Sequence, residues 1–355
     1  MNQLPAKLLP NHPTPAKLGF RMPAEWETHE ATWIAWQHQR DDWPGKFEPI
    51  PWVWVEIVRL LHRGERVRIA ALPAEQRQAR EMLSRAEVDL DRIDFLPFAT
   101  DRVWLRDSGA IFVKDGSGHR AALDWKFNAW AKYDNWEADD ALPEQIAEFL
   151  QLPRWQPHHG EHRVVLEGGS IEVNGAGLLL TTEECLLSPI QARNPGLSRR
   201  EVEKVLQDYL GIRKVLWLHR GILGDDTHGH IDDLTRFVAP TRVVTVVADD
   251  PADDNHDLLK ENWDRLKAMP EIEEVIALPL PAPVVFEGQR LPASYANFYI
   301  ANQCVLVPTF NDEQDRRALS ILADLFPNRR VVGVHAVDLV WGLGTLHCLT
   351  QQEPR

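Results

Sequence analysis

Cys348 lies in the stretch Gly342-Leu-Gly-Thr-Leu-His-Cys-Leu-Thr-Gln-Gln351, after a glycine turn and an apolar step. A buried strand there would deliver the sulfur to the mouth of a site. An isolated cysteine in such a setting is usually inert packing, but Gly344, Thr345 and His347 beside it suggest chemistry. The densest polar run is Gly224-Asp-Asp-Thr-His228-Gly-His230-Ile-Asp232-Asp233. It is either a solvated acidic loop or a site, and as a site it supports two chemistries. Alternating His228, His230 and Asp232 at a strand end could hold one metal ion. Alternatively, His230 is a general acid/base with Asp232 facing the same pocket, because i and i+2 share a strand face. His228 would share that face too. Asp107, in Trp-Leu-Arg-Asp-Ser-Gly, is either a functional carboxylate or a turn residue paired with Arg106. Glu167, between Leu166 and the pair Gly168-Gly169, reads as partly buried and therefore needs a partner. A histidine N–H would serve, fixing that ring's tautomer.

The elements that would carry these groups follow from periodicity. Helices are expected at Val53–His62, Ala74–Ala86, His256–Ala268 and Gln314–Leu325. Another runs from the capping box Ser198–Glu201 to Tyr209. Strands are expected at Arg66–Ala71, Asp94–Pro97, Ile111–Val113, Gly177–Thr182, Val215–Leu218, Val243–Val247, Val305–Val307 and Val331–Val334. The run Trp125–Trp136 is aromatic, polar and without helical period, and reads as an ordered loop that covers either a site or only core. One unit recurs: a polar side chain at a turn, then an apolar strand. Asp107, Glu167, Asp232, Asn297 and Cys348 occupy that place, at successive spacings of 60, 65, 65 and 51 residues. An opening unit around Glu30–Trp36 would complete five. Such periods, each mixing strands and a helix, suggest a closed ring of α/β units rather than two domains.

Composition bounds the rest. The 355 residues carry 39 basic and 53 acidic side chains, a formal charge of −14. That argues against a nucleic-acid surface and is compatible with a cationic small molecule. Three cysteines make no disulfide framework and fit a reducing compartment, so a cytoplasmic protein is expected. Prolines at 5, 10, 13 and 15 make residues 1–20 a Pro-rich surface arm rather than a signal peptide. No apolar run reaches the ~20 residues that would span a membrane.

Several motifs, in order along nearly the whole chain, resemble agmatine deiminase and the related bacterial peptidyl-arginine deiminases. They are Met22-Pro-Ala-Glu-Trp-Glu, Trp104-Leu-Arg-Asp-Ser-Gly, Lys126-Phe-Asn-Ala-Trp, Lys132-Tyr-Asp-Asn-Trp, Leu166-Glu-Gly-Gly-Ser, Gly224-Asp-Asp-Thr-His-Gly-His-Ile-Asp, Ala293-Ser-Tyr-Ala-Asn-Phe-Tyr-Ile and Leu346-His-Cys-Leu-Thr-Gln-Gln. The resemblance implies the pentein fold, a five-bladed α/β propeller forming one deiminase domain over residues 21–355. It implies Cys348 as nucleophile, His230 as general acid/base and Glu167 as its orienting carboxylate. Asp107 and Asp232 would bind guanidinium nitrogens, with Trp104 and Trp130 in the pocket wall. No metal or organic cofactor is implied, and a homo-oligomer fits the family. The expected reaction is hydrolysis of agmatine to N-carbamoylputrescine and ammonia through an S-linked thiouronium. The alternatives are peptidyl-arginine or another small guanidine as substrate, or a metal-dependent hydrolase using His228, His230 and Asp232. His228 stands where many agmatine deiminases have Asp, and Leu343 where Gly is usual.

Overall fold

Alternating apolar side chains over short segments force strands, and helices with one apolar face cover them. The helix Arg199–Leu210 shows the rule, burying Val202, Val205, Leu206, Tyr209 and Leu210. Its capping box is formed by Ser198 and Glu201, and Gly211 ends it at φ +68°. The computed structural model describes residues 12–355 and the backbone pairing of Lys7–Leu8.

Five sheets repeat one pattern: an antiparallel pair, then a parallel partner reached through a helix. The first blade holds Ile111–Lys114, Arg120–Leu123 and Arg154–Trp155, with helix Glu137–Leu150 as its crossover. The second holds Glu172–Val173, Leu178–Thr182 and Lys214–Leu218 around Arg199–Leu210. In the third, Thr235–Ala239, Arg242–Val247 and Glu274–Pro279 surround His256–Ala268. The fourth comprises Tyr299–Ile300, Cys304–Thr309 and Arg330–His335 around Gln314–Leu325. The fifth joins the chain's two ends. C-terminal Gln351–Pro354 pairs antiparallel with His29–Ala35, which pairs parallel with Arg66–Ala70, and that strand with Ile93–Leu96. Helices Ile50–Leu61 and Pro73–Arg85 make its crossovers. The ring of five α/β units expected from spacing is therefore the fold, and it is the pentein propeller.

The helix Glu137–Leu150 was not expected from the sequence. Pro143 sits inside it and removes a backbone donor, masking a run that otherwise buries Leu142, Ile146 and Ala147. The N-terminal arm also differs from expectation. Residues 1–6 and 9–11 lie outside the described residues. Lys7–Leu8, however, adds a parallel strand beside Arg154–Trp155, and Pro15 and Phe20 are buried. Just beyond the arm, the Met22 N–H donates to the Leu210 carbonyl at 2.9 Å.

Candidate active site

Each blade begins with a turn that precedes its first strand, and the five turns meet around the propeller axis. They carry Asp107 on the short helix Leu105–Ser108, Glu167 before the turn Gly168–Ser170, and His230 and Asp232 around the turn Ile231–Asp233. Asn297 precedes Tyr299–Ile300, and Cys348 lies on the helical turn Leu346–Leu349. Two local expectations are thereby corrected. Cys348 is delivered by a helical turn rather than a strand; the strand starts at Gln351. His230 and Asp232 share a pocket because the backbone tightens into a 3-10 turn with Ile231 buried beneath, not because they alternate along a strand.

Five of the seven residues expected in the site surround one buried point. His230 Nδ1 lies 3.8 Å from Asp107 Oδ1 and 4.0 Å from Asp232 Oδ1. Its Nε2 lies 3.8 Å from Glu167 Oε2. Cys348 Sγ accepts from Asn297 Nδ2 at 3.1 Å and lies 3.7 Å from Asp232 Oδ2. Trp130 donates from Nε1 to Asp107 Oδ2 at 3.0 Å, and the Gly169 N–H donates to Asp107 Oδ1 at 3.0 Å. The site requires glycine at 169: a Cβ there would stand 2.6 Å from His230 Nδ1. Trp104 packs over Gly344, where a Cβ would meet its ring at 2.7 Å. Trp104, Trp130, Asp107 and Cys348 all line one cavity of about 430 Å³. The aromatic loop does cover the site. Its residues Ala129, Trp130 and Ala131 all hold positive φ (48°, 58°, 54°), strain fastened by Asn128 Oδ1 accepting from the Ala131 N–H.

Electrostatics divides these groups. Burial raises the Asp107 carboxyl to about 6, although His230 opposes the shift. Burial also acts on Glu167, but Arg193 and then His230 outweigh it and bring that carboxyl to about 2. The His230 imidazole is pushed down by burial, yet Asp107 and its other neighbours hold it well above its ordinary value. Burial, reinforced by Asp232, Asp233 and Asp107, raises the Cys348 thiol well above the usual range. An empty site therefore holds a thiol, an imidazolium and carboxylates. Four buried atoms of the site have no hydrogen-bond partner: His230 Nδ1 and Nε2, Glu167 Oε2 and Asp232 Oδ1. Unpaired polar atoms at such depth are costly and mark where a ligand's polar groups would go.

His228 does not join them. It sits at φ +64°, is half-buried, and its Nε2 contacts Ser188 Oγ at 3.1 Å. The set His228, His230 and Asp232 thus does not form a metal site. Among the described residues, the group with metal-ligand spacing is Glu167, Cys185 and His230. There the Arg193 guanidinium already occupies Glu167 Oε1 at 3.0 Å and would repel a cation. Asp107 is also not paired with Arg106, whose guanidinium turns to Glu25, Gln351 and Gln352.

Sequence reasoning missed several participants. Asn297 appeared only as a member of the repeat. It orders the Cys348 turn, with Oδ1 accepting from Thr345 Oγ1 at 2.8 Å and from the His347 N–H at 2.9 Å. Its place in the five-fold series was the available signal. Arg193, Glu25 and the role of His347 had no such signal, because their partners are distant in sequence.

The chain matches the Porphyromonas-type peptidyl-arginine deiminase family over residues 21–354. It is 36% identical to the agmatine deiminase of Medicago truncatula, covering 96% of this chain and 98% of that one. The structure of the Enterococcus faecalis agmatine deiminase superposes with a TM-score of 0.89 at 32% identity, covering 97% and 98% of the two chains. A C. jejuni agmatine deiminase variant with substrate bound gives a TM-score of 0.85 at 29% identity, covering 95% and 96%. The five-turn site and these similarities lead to one assignment: the chain belongs to the Porphyromonas-type peptidyl-arginine deiminase family.

Proposed function

We propose that the protein is a cysteine-dependent guanidine deiminase that hydrolyses agmatine to N-carbamoylputrescine and ammonia. The observation that carries this reading is the convergence of Cys348 with His230, Glu167, Asp107 and Asp232, several with unpartnered buried atoms. A planar guanidinium offers several N–H donors to such a set. Asp107 and Asp232 hold its nitrogens and keep it charged. That charge reverses the field on Cys348. In the empty site the surrounding carboxylates oppose the thiolate. A bound cation favours it, and the thiol proton passes to solvent as substrate enters.

The thiolate then adds to the guanidinium carbon, forming the S–C bond. The His230 imidazolium gives its proton to the departing nitrogen, the C–N bond breaks, and ammonia leaves. An S-linked thiouronium remains. Neutral His230 takes a proton from water as the water oxygen attacks the same carbon. The C–S bond breaks, the remaining hydroxyl proton passes to solvent as the C=O forms, and the ureido product and the Cys348 thiolate are released. Glu167, itself fixed by Arg193, keeps His230 oriented and stabilises its cation.

The outer cavity favours a cationic tail over an amino-acid tail. Asp41, Asp42 and Asp226 line it, and among the described residues its single lining cation is Arg102. Arg102 is already engaged, donating to Asp42 Oδ1 at 2.6 Å and to Asn135 Oδ1 at 3.2 Å. Asp42 and Asp226 are engaged too, by Arg102 and by Lys132 and Tyr133, so Asp41 is the carboxylate left to meet agmatine's ammonium, whereas arginine's α-carboxylate would meet an Arg102 already paired. Product formation from agmatine compared with arginine and an arginyl peptide tests this choice. Preference for arginine would overturn the tail assignment. A catalytic thiol that must stay reduced supports a cytoplasmic location.

A further inference from the structure

Beneath the reaction site lies a second polar layer that the chemistry above does not use. Its hub is Glu25, from the segment preceding the strand His29–Ala35. Glu25 Oε1 accepts from the Ile300 N–H at 2.7 Å and lies 3.0 Å from Arg236. Glu25 Oε2 lies 2.7 Å from His347 Nε2 and accepts from Arg106 at 3.3 Å. The opposite nitrogen of the same ring, His347 Nδ1, lies 2.7 Å from Asp232 Oδ2. Glu25, His347 and Asp232 thus form a line of two short contacts through one imidazole, all buried. Burial opposes ionisation of both carboxylates. Arg236 and His347 outweigh it at Glu25, and the His347 hydrogen bond does so at Asp232, so both stay below their ordinary range. Each contact joins one ring nitrogen to one carboxylate oxygen at hydrogen-bond distance. The line then fixes which Asp232 oxygen is occupied, and leaves Oδ1, which has no partner, facing the site.

We infer that Glu25 and His347 are positioning residues for guanidinium recognition: Glu25 orients His347, and His347 holds Asp232 so that one oxygen is presented to the substrate. This rests on the reading of Asp232 as a guanidinium ligand. Because Asp232 holds the guanidinium in ground and transition states alike, losing its alignment should raise KM far more than it lowers kcat. Glu167 acts through His230 and should do the reverse.

The test uses the full chain. Agmatine affinity is measured calorimetrically in a Cys348→Ala background, with Glu25→Gln, His347→Gln and the pair, and steady-state constants are measured with Cys348 intact. His347→Gln should weaken agmatine binding roughly 10- to 100-fold, the range spanned by one charge-assisted hydrogen bond. Glu25→Gln should weaken it less, and should add nothing in the pair, because it acts through His347. Glu172→Gln is the control. Glu172 shares Arg236 with Glu25 but makes no hydrogen bond to His347, and this variant should stay within about twofold. If His347→Gln fails to fold, Glu25→Gln still decides the matter, with a raised KM at near-constant kcat as the expected result. Additive losses in the pair, or an unchanged affinity in either single variant, would overturn the inference. If the Cys348→Ala protein binds neither agmatine nor a simple alkylguanidine, the reading of the site falls and takes this inference with it.

Discussion

The two polar layers on the propeller axis are built from the same residue types and differ in how their charges are paired, although the lower layer too has Gln351 Nε2 without a hydrogen-bond partner and Arg236 Nη2 held only by its ion pair with Glu25. In the upper layer His230 has no hydrogen-bond partner on either nitrogen, and Glu167 and Asp232 each leave one oxygen unpaired. In the lower layer, Arg236 reaches Glu172, Glu25 and the carbonyls of Ala296 and Phe298. Arg106 reaches Glu25, Gln351, Gln352 and the His347 carbonyl. Buried charge that is paired holds a structure together. Buried charge left unpaired destabilises it unless a ligand completes the set. The upper layer is therefore shaped to receive a ligand's polar groups, and the lower one to hold the fold.

Substitutions should separate the layers. The largest expected effect is on turnover: Cys348→Ala should lower kcat by at least about 10⁴-fold with a near-native melting temperature. His230→Gln should follow, at roughly 10²- to 10⁴-fold, the span of a lost general acid/base. In the lower layer the main loss should be stability. Arg236→Met leaves Glu25 and Glu172 without their shared cation and should cost about 3–5 kcal/mol, read from urea unfolding. If Arg236→Met folds like the parent but is inactive, the division between the layers is wrong. Glu167→Gln should lower kcat by about 10²-fold with little change in unfolding; an unchanged rate would remove its orienting role.

The smallest effect is a pH limb. Asp107, raised by burial to about 6, is ionised above that pH and neutral below it. Protonation removes the charge that attracts the guanidinium, so kcat/KM should fall as pH drops through about 6. The limb should be weaker in kcat, because bound cation holds Asp107 ionised. A flat kcat/KM across that range would contradict the assignment.

Much of the fold was legible because its signals are local. His256–Ala268 and Gln314–Leu325 lie where periodicity placed them, and the Ser198 capping box opens its helix. The five-position repeat could be read because each blade restates the same turn before its first strand. Pro143 hid one helix, since local reading treats an interior proline as a break. The site was legible where identity and repeat position agreed, as for Cys348, Asp107 and Glu167. It was not legible where a backbone angle or a distant partner decided the outcome. Positive φ at His228 and then Gly229 (64° and 93°) turns the chain so that His228 leaves the site while His230 enters it. The pairings of Glu25 with His347 and of Arg106 with Gln352 join residues from opposite ends of the chain. Only ring closure by Gln351–Pro354 brings them together.

The most direct test of the account is ureido-product formation from agmatine by the purified protein, with and without EDTA, beside Cys348→Ala. The predicted result is product that resists EDTA and disappears in the variant. Product that survives in the variant and is lost to EDTA would contradict the cysteine mechanism.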